Sequence, residues 1–355
     1  MNWLQRQLHR PFFIRLLHWE YWSFNSIYIP IYIIWFFLCL RARSFFFFAA
    51  ANPRIRNGGF LNESKKEISE LIPDDLQPKT VFFPATAQAA EVLMLLRAKD
   101  LQFPLIGKPD MGSRGRGIEV LKEEQHVIAY VDNARVDFHI QEFIPFEKET
   151  GIFYYRLPGE ASGRLSGIVR KEFLRANGDG ISTIRQLLQQ NKRAILQLPE
   201  LEKRHKQLLD LVLPRGIQRV VAPYGNHARG AEFLDDSALI DETLTASIDA
   251  LCKRMPEFYF GRLDIRYRDW EELKRGQNFS IIEANGAGSE PTHIYDPKHS
   301  IFFAWKEIIR HWIILWRISR RNHRLGHPYL TIKEGIRMFR EDRENAEKLE
   351  EMGSS

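Results

Sequence analysis

The stretch FSIIEANGAGSEPTHIYDP, Phe279 to Pro297, runs apolar residues into a carboxylate and an amide two positions apart, then opens into a polar loop with glycines. Side chains two apart on a strand share a face. The pattern therefore predicts Ile281, Glu283 and Asn285 on one side, with Ile282 and Ala284 on the other. Upstream, FYFGRLDIRYRDW places Phe260, Arg262, Asp264 and Arg266 on one face of a second strand and Gly261, Leu263, Ile265 and Tyr267 on the opposite one. The connector from about Arg268 to Gln277 is short enough to join antiparallel neighbours. If the strands pair, Asp264, Glu283 and Asn285 converge as oxygen ligands for a hard divalent cation such as magnesium, with phosphate oxygens and waters completing the shell. Arg262 then lies where charge builds in a phosphoryl transfer. The plainer alternative is a solvated, ion-paired face.

Three further stretches bear on the same chemistry. In LIGKPDMGSRGRGIEVL, Leu105 to Leu121, two strands flank a glycine loop whose backbone N–H groups can approach an anion closely. No Gly-Lys-Ser or Gly-Lys-Thr follows, so it is not a P-loop, and the spacing of Gly112, Gly115 and Gly117 is not that of a dinucleotide-binding turn. Lys108 ends the entering strand, and Ser113, Arg114 and Arg116 lie in the loop. In FHIQEFIPFEKETGIFYYR, a strand ending at Gln141, Glu142, Phe143 and Ile144 offers acceptors beside apolar walls, which suits a purine. In SGIVRKEFLRANGDGISTIRQLLQQN, Lys171 sits inside an apolar strand, where an ammonium needs an anion to meet, and the Asn-Gly-Asp-Gly turn leads to a helix start at Ser182 or Thr183.

The whole chain has 355 residues, 44% hydrophobic and 27% charged, the composition of a folded globular protein with two or three subdomains. Its 51 basic against 45 acidic residues give +6, too modest to argue for nucleic acid. Cys39 and Cys252 are far apart in dissimilar settings, which supports neither a disulfide framework nor a cysteine metal site and makes a reducing compartment the default.

The ends differ from the middle. Ile27 to Leu40 is apolar throughout, followed by Arg41 and Arg43, yet at 14 residues it is short of the roughly 20 that a spanning helix needs. A buried helix, a helix lying in a bilayer interface and a true span all remain open. The C-terminal run FFAWKEIIRHWIILWRISRRNHR has a helical apolar stripe against a basic face, either docked on the body or in contact with a membrane surface. Between the ends, SFFFFAA reads as a buried strand and NESKKEISELI as a helix starting at Asn62. TVFF reads as a strand, TAQAAEVLMLLRAKD as a helix, and strands and helices alternate to about residue 300. The divisions expected are an aromatic N-terminal segment over 1–50, an α/β region over 51–100, a nucleotide-binding body over 101–300 with its lid at about 104–142, and a helical tail over 301–355.

Taken in order, from about Leu101 to Pro297, these motifs resemble the ATP-grasp superfamily of carboxylate-amine ligases. The stretch FPLIGKPDMGSRGRGIEV is similar to that family's lysine strand and glycine-rich lid, IQEFI to its adenine hinge, VRKEFLRANGDGISTIRQLLQQN to part of cyanophycin synthetases, and GRLDIRY with IIEANG to metal motifs shared with D-alanine-D-alanine ligases. The resemblance implies an α/β (α+β) ATP-grasp fold whose two α/β subdomains grip ATP, here with an aromatic N-terminal extension and a basic C-terminal helix. It implies that Lys108 and Lys171 bind phosphates and that Gly112, Ser113, Arg114, Gly115 and Gly117 cover them. Gln141, Glu142, Phe143 and Ile144 would frame the adenine and Glu149 would meet the ribose. Asp264, Glu283 and Asn285 would hold Mg2+ or Mn2+, with Arg262 and Lys171 acting on the transferring phosphoryl group.

The implied reaction activates a carboxylate as an acyl phosphate and joins it to an amine. His227, Arg229, Arg266, Ser289, Glu290 and His293 are placed where substrates would reach it. The expected partners are small-molecule or peptide-like carboxylate and amine substrates, not nucleic acid, with membrane-surface contact and homo-oligomers left open. The expected location is cytoplasmic, either free or peripheral on the cytoplasmic membrane. No counterpart of the N-terminal substrate domain of D-alanine-D-alanine ligases is evident. A nucleotide-binding membrane adaptor and a kinase-like phosphotransferase are the alternative readings.

Overall fold

The computed structural model describes residues 10–112, 117–204, 206–222 and 230–353. Among the described residues eleven strands run in chain order: β1 Thr80–Phe83, β2 Leu105–Pro109, β3 Glu119–Leu121, β4 Phe138–Glu142, β5 Lys148–Tyr155, β6 Arg164–Glu172, β7 Leu174–Asn177, β8 Gln218–Ala222, β9 Glu232–Asp235, β10 Phe260–Tyr267 and β11 Phe279–Asn285. With the helices around them they make a mixed α/β chain of the α+β kind, because neighbouring strands run antiparallel. The chain divides into two compact units. One comprises Met1–Tyr32, Val169–Asp235 and Thr292–Glu307, and the other Ile33–Ile168, Asp236–Pro291 and Ile308–Ser355.

The second unit holds two sheets. The first has the order β1-β4-β2-β3 and buries Leu105, Leu121, Phe138 and Ile140 against Val92, Leu96 and Val127 of the helices Ala89–Ala98 and Glu124–Asp132. The other runs β11-β10-β5-β6. One face, with Ile152, Leu263, Ile265, Ile281 and Ala284, packs on Leu244, Ile248, Leu251 and Cys252 of the helix Glu242–Lys253. Phe153 and Phe260 lie in a separate aromatic core with Phe47, Phe48, Leu315 and Ile318. In the first unit the end of β6 pairs with β9, and β7 pairs with β8 over a core of Ile184, Leu188, Ala194 and Leu209.

Several expectations meet corrections here. The phenylalanine run is not a strand: Phe47–Ala50 is a 3-10 turn, because Phe47 reaches Trp35 at 4.9 Å and Phe48 stacks on Phe60 at 3.8 Å, a local aromatic cluster that offers no ladder partner. The helix expected to start at Asn62 starts at Lys65, capped by Ser64, whose hydroxyl accepts the Glu67 N–H at 3.2 Å. Asn62 takes a positive φ of 56° and donates to the Met338 carbonyl at 2.7 Å. The connector after β10 contains its own helix, Trp270–Lys274, capped by Asp269. At the turn Gly178–Gly180 the helix start falls at Thr183, with a full capping box to Gln186.

The strict alternation expected along β11 also breaks. Asp264 faces Glu283 and Ile265 faces Ile281, so Ile282 is an extra residue in a β-bulge. Ile281 therefore turns into the core with Ala284 instead of sharing a face with Glu283.

Candidate functional site

The β10–β11 pair sets Asp264 directly opposite Glu283, and Arg262 directly opposite Asn285. Two of these residues come from each strand, so the bulge that diverts Ile281 leaves a polar quartet intact. Arg262 grips Asp264 with both arms, Nε to Oδ1 at 2.9 Å and a terminal nitrogen to Oδ2 at 3.1 Å. Burial works against the guanidinium charge, but the Asp264 carboxylate outweighs it and holds Arg262 above its usual range. A third Arg262 nitrogen donates to the Glu290 carbonyl at 3.4 Å. The Asn285 side-chain nitrogen is buried without a hydrogen-bond partner among the described residues.

Lys108, at the end of β2, is buried and donates to Gln141 Oε1 at 3.1 Å and to the Ile282 carbonyl at 3.3 Å. Burial pushes its ammonium down to about 8, and the attraction of Glu283 offsets part of that. The bulge thus has a use, since the carbonyl of its extra residue faces the lysine. Lys108, Gln141 and Glu283 line a cavity of about 30 Å³ together with Ile68, Ser69, Gln77 and Ile282. A larger groove of about 580 Å³ runs beside Asp241, Thr245, Asp249 and Lys253, and none of the quartet lines it.

A further cluster lies along the same strands. Arg266 donates to the Ile144 carbonyl at 3.1 Å, stands 3.5 Å from Glu149 and lies over the Phe143 ring at 5.7 Å. Glu142 accepts from the Lys79 N–H at 3.2 Å. Ser289 closes the loop after β11 by donating to the Gly286 and Asn285 carbonyls. In the first unit Lys171 is a buried residue of β6 opposite Phe233, and His293 is buried 3.4 Å from Glu307. Gly112 and Gly117 flank the undescribed part of the glycine loop, and Gly117 takes a φ of 67°. Ser113, Arg114, Gly115, Arg116, His227 and Arg229 lie outside the described residues.

Reading by motif passed over the segment Asn52–Lys66, which is stitched to this site. Gly59 and Gly286 approach so closely that a Cβ on Gly59 would meet the Gly286 Cα at 2.6 Å. The Gly58 and Gly59 carbonyls accept from the Ala287 and Gly288 N–H groups at 3.0 and 2.7 Å. Glu63 accepts from the Gly286 N–H at 3.1 Å, and burial pushes its carboxyl up to about 7. Lys65 donates to the Asp110 and Gly112 carbonyls at 3.2 and 3.0 Å, beside the glycine loop. Burial alone would raise the Asp110 carboxyl, but hydrogen bonds from His139, the Lys66 N–H and Ser64 hold it below the usual carboxylate range. The signal available in the sequence was the pair of glycines at 58 and 59, which reads as a turn and not as a partner for another glycine loop.

Two carboxylates and an amide oxygen on facing strands fit a hard divalent cation that takes its remaining ligands from phosphate and water, while the unpartnered Asn285 N–H group beside them suits an anionic acceptor. No group of three or more His, Cys, Asp or Glu side chains able to hold a metal occurs among the described residues.

No family model and no curated protein matches the chain. Solved structures do. A D-alanine–D-alanine ligase from Bacillus anthracis is 12% identical, with 74% of this chain and 69% of that one covered and a TM-score of 0.42. A D-Ala:D-Ser ligase from Enterococcus faecalis is 16% identical over 71% and 61% of the two chains, with a TM-score of 0.39. A bifunctional glutathione synthetase from Pasteurella multocida is 14% identical over 70% and 35%, with a TM-score of 0.38. The chain spans about a third of the last and less than two thirds of the second. The structures to which it is similar are ATP-grasp ligases.

Proposed function

We propose that the chain is an ATP- and magnesium-dependent ligase of the ATP-grasp kind, forming an amide or peptide-like bond between a carboxylate and an amine. The observation that carries this reading is the register of β10 and β11, which sets Arg262, Asp264, Glu283 and Asn285 together at the strand whose Ile282 carbonyl Lys108 reaches. Asp264, Glu283 and Asn285 would hold magnesium, which when bound neutralises phosphate charge.

Lys108 orients the phosphates, and Gln141 to Ile144 with Glu149 face the base and ribose. One oxygen of the substrate carboxylate attacks the γ-phosphorus and ADP leaves, giving an acyl phosphate whose charge Arg262 meets. The amine nitrogen then attacks the acyl carbon, phosphate leaves, and the amine proton is lost. Glu63, on the loop side of the site with its carboxyl near neutrality, is suited to take that proton. Positioning and charge account for the catalysis, and no covalent enzyme intermediate is needed. Ser289 and Glu290 are assigned to substrate contacts on the motif order alone.

A screen of acids and amines read out by ADP release tests the proposal. One pair is expected to release ADP and phosphate in equal amounts, with release lost in Lys108→Ala. A stable phosphorylated product in place of free phosphate would make the chain a phosphotransferase.

A further inference from the structure

We infer that the second unit carries a docking face for an anionic bilayer surface, built from residues 33–42 of the helix Tyr32–Ala42, the turn at 43–46 and residues 332–340 at the start of the helix Ile332–Gly353. On the first helix Ile33, Phe36, Phe37 and Leu40 recur at the spacing that shares one face, and each is between 53% and 73% exposed. The opposite stripe is docked: Leu38 and Cys39 are buried, and Trp35 stands 4.9 Å from Phe47 and 5.1 Å from Trp312. Single exposed apolar residues are ordinary, whereas a row of four large ones is not.

The helix Ile332–Gly353 repeats the device, with Ile332, Ile336 and Phe339 exposed and Met338 buried. The two rows are joined at the Phe45–Phe46 turn. The Phe46 ring lies 6.3 Å from that of Phe339 and so close to Gly335 that a Cβ there would meet it at 2.1 Å, while Phe45 beside it is exposed.

Charge selects the occupant. From Tyr21 to Asn62 there is no aspartate or glutamate, and there are four arginines, Arg41, Arg43, Arg54 and Arg56. Arg41 and Arg43 are exposed at the end of the first row, with the Arg41 guanidinium over the Phe37 and Trp316 rings at 5.7 and 5.4 Å. Lys333, Arg337 and Arg340 are exposed among the apolar residues of the second row. Over Ile332 to Arg340 the one acid is Glu334, which accepts from Thr331, while Glu341 pairs with Arg56 and the remaining acids of the helix, Asp342, Glu344, Glu347, Glu350 and Glu351, lie on its later turns.

Apolar side chains rimmed by cations suit the acyl boundary and phosphates of anionic lipid. A second copy of this chain would set like charges against one another. The helical run Phe24–Ala42 is the one among the described residues long and apolar enough to cross a membrane, at 28% buried. The stripe of Trp35, Leu38 and Cys39 packed on protein favours lying on the bilayer instead.

Flotation with vesicles of phosphatidylcholine and phosphatidylglycerol, against phosphatidylcholine alone, tests this apart from any ligase activity. The protein is expected to float with the anionic vesicles and to be released by salt. The double substitution Phe36→Ser, Phe37→Ser and the single Arg43→Glu, each with an unchanged circular dichroism spectrum and melting temperature, are expected to weaken binding, the latter about tenfold. Absence from the anionic fraction, or equal flotation of the variants, would overturn the inference. So would a dimer in solution that the phenylalanine substitutions dissociate, which would assign the face to a second copy.

Discussion

Glu63 holds its carboxyl on the Gly286 amide while burial and the nearby Glu283 work against its charge, with Lys65 and Arg262 offsetting part of the cost. The unfolded chain ionises this group near 4.5, the folded one at about 7. Folding therefore loses stability as pH rises through that interval, and the loss is complete above it. Glu63→Gln keeps an acceptor for the amide and removes the charge. It is expected to raise stability by about 3 kcal/mol above pH 7 and to change nothing below 4.5, as read from melting temperatures across pH. An equal gain at both ends would remove the buried charge as its cause. Neither this residue nor Lys65 was legible in NESKKE, which reads as a solvated helix start. What distinguishes them is the contact with residues more than 40 positions away, and no local pattern records that.

Among the elements, β1 to β4 and the β10–β11 pair were readable, because alternation, turn residues and a short connector all agree there. The bulge at Ile282 was not, since an extra residue in a strand changes the facing of side chains without changing composition. The 3-10 turn Phe47–Ala50 was misread for a related reason: consecutive apolar residues fit a strand or a tight aromatic cluster equally well. What fixes the neighbouring segment is Asn52, fully buried. Its amide donates to the Gly58 and Phe260 carbonyls at 3.0 and 2.8 Å, and its oxygen accepts from the Tyr259 and Phe260 N–H groups at 2.8 and 3.0 Å. This one side chain ties the glycine turn to the start of β10, which carries Arg262 and Asp264. Asn52→Ala removes four hydrogen bonds to backbone groups, of which the Gly58 carbonyl keeps its bond from the Ala287 N–H, and is expected to cost about 3 kcal/mol in denaturant unfolding. A cost below about 1 kcal/mol would mean that the turn is held by other contacts.

For the whole molecule, the order of the strands that carry Lys108, Gln141, Lys171, Asp264 and Glu283 was legible because each is a local pattern. Their distribution between two compact units was not, since it depends on long-range packing. The aromatic N-terminal run gives a similar lesson. Its length and hydropathy left a buried, an interfacial and a spanning helix open, and the structure shows one stripe packed and the other bare, which periodicity in so uniformly apolar a run could not assign. The central claim is that Asp264, Glu283 and Asn285 form a metal-dependent nucleotide site with Lys108. Calorimetric titration of ATP with and without magnesium tests it most directly. Wild-type protein is expected to bind ATP far more tightly with the metal, and Glu283→Gln to lose most of that enhancement while keeping its fold. ATP affinity indifferent to magnesium, or a magnesium enhancement left intact by Glu283→Gln, would contradict the account.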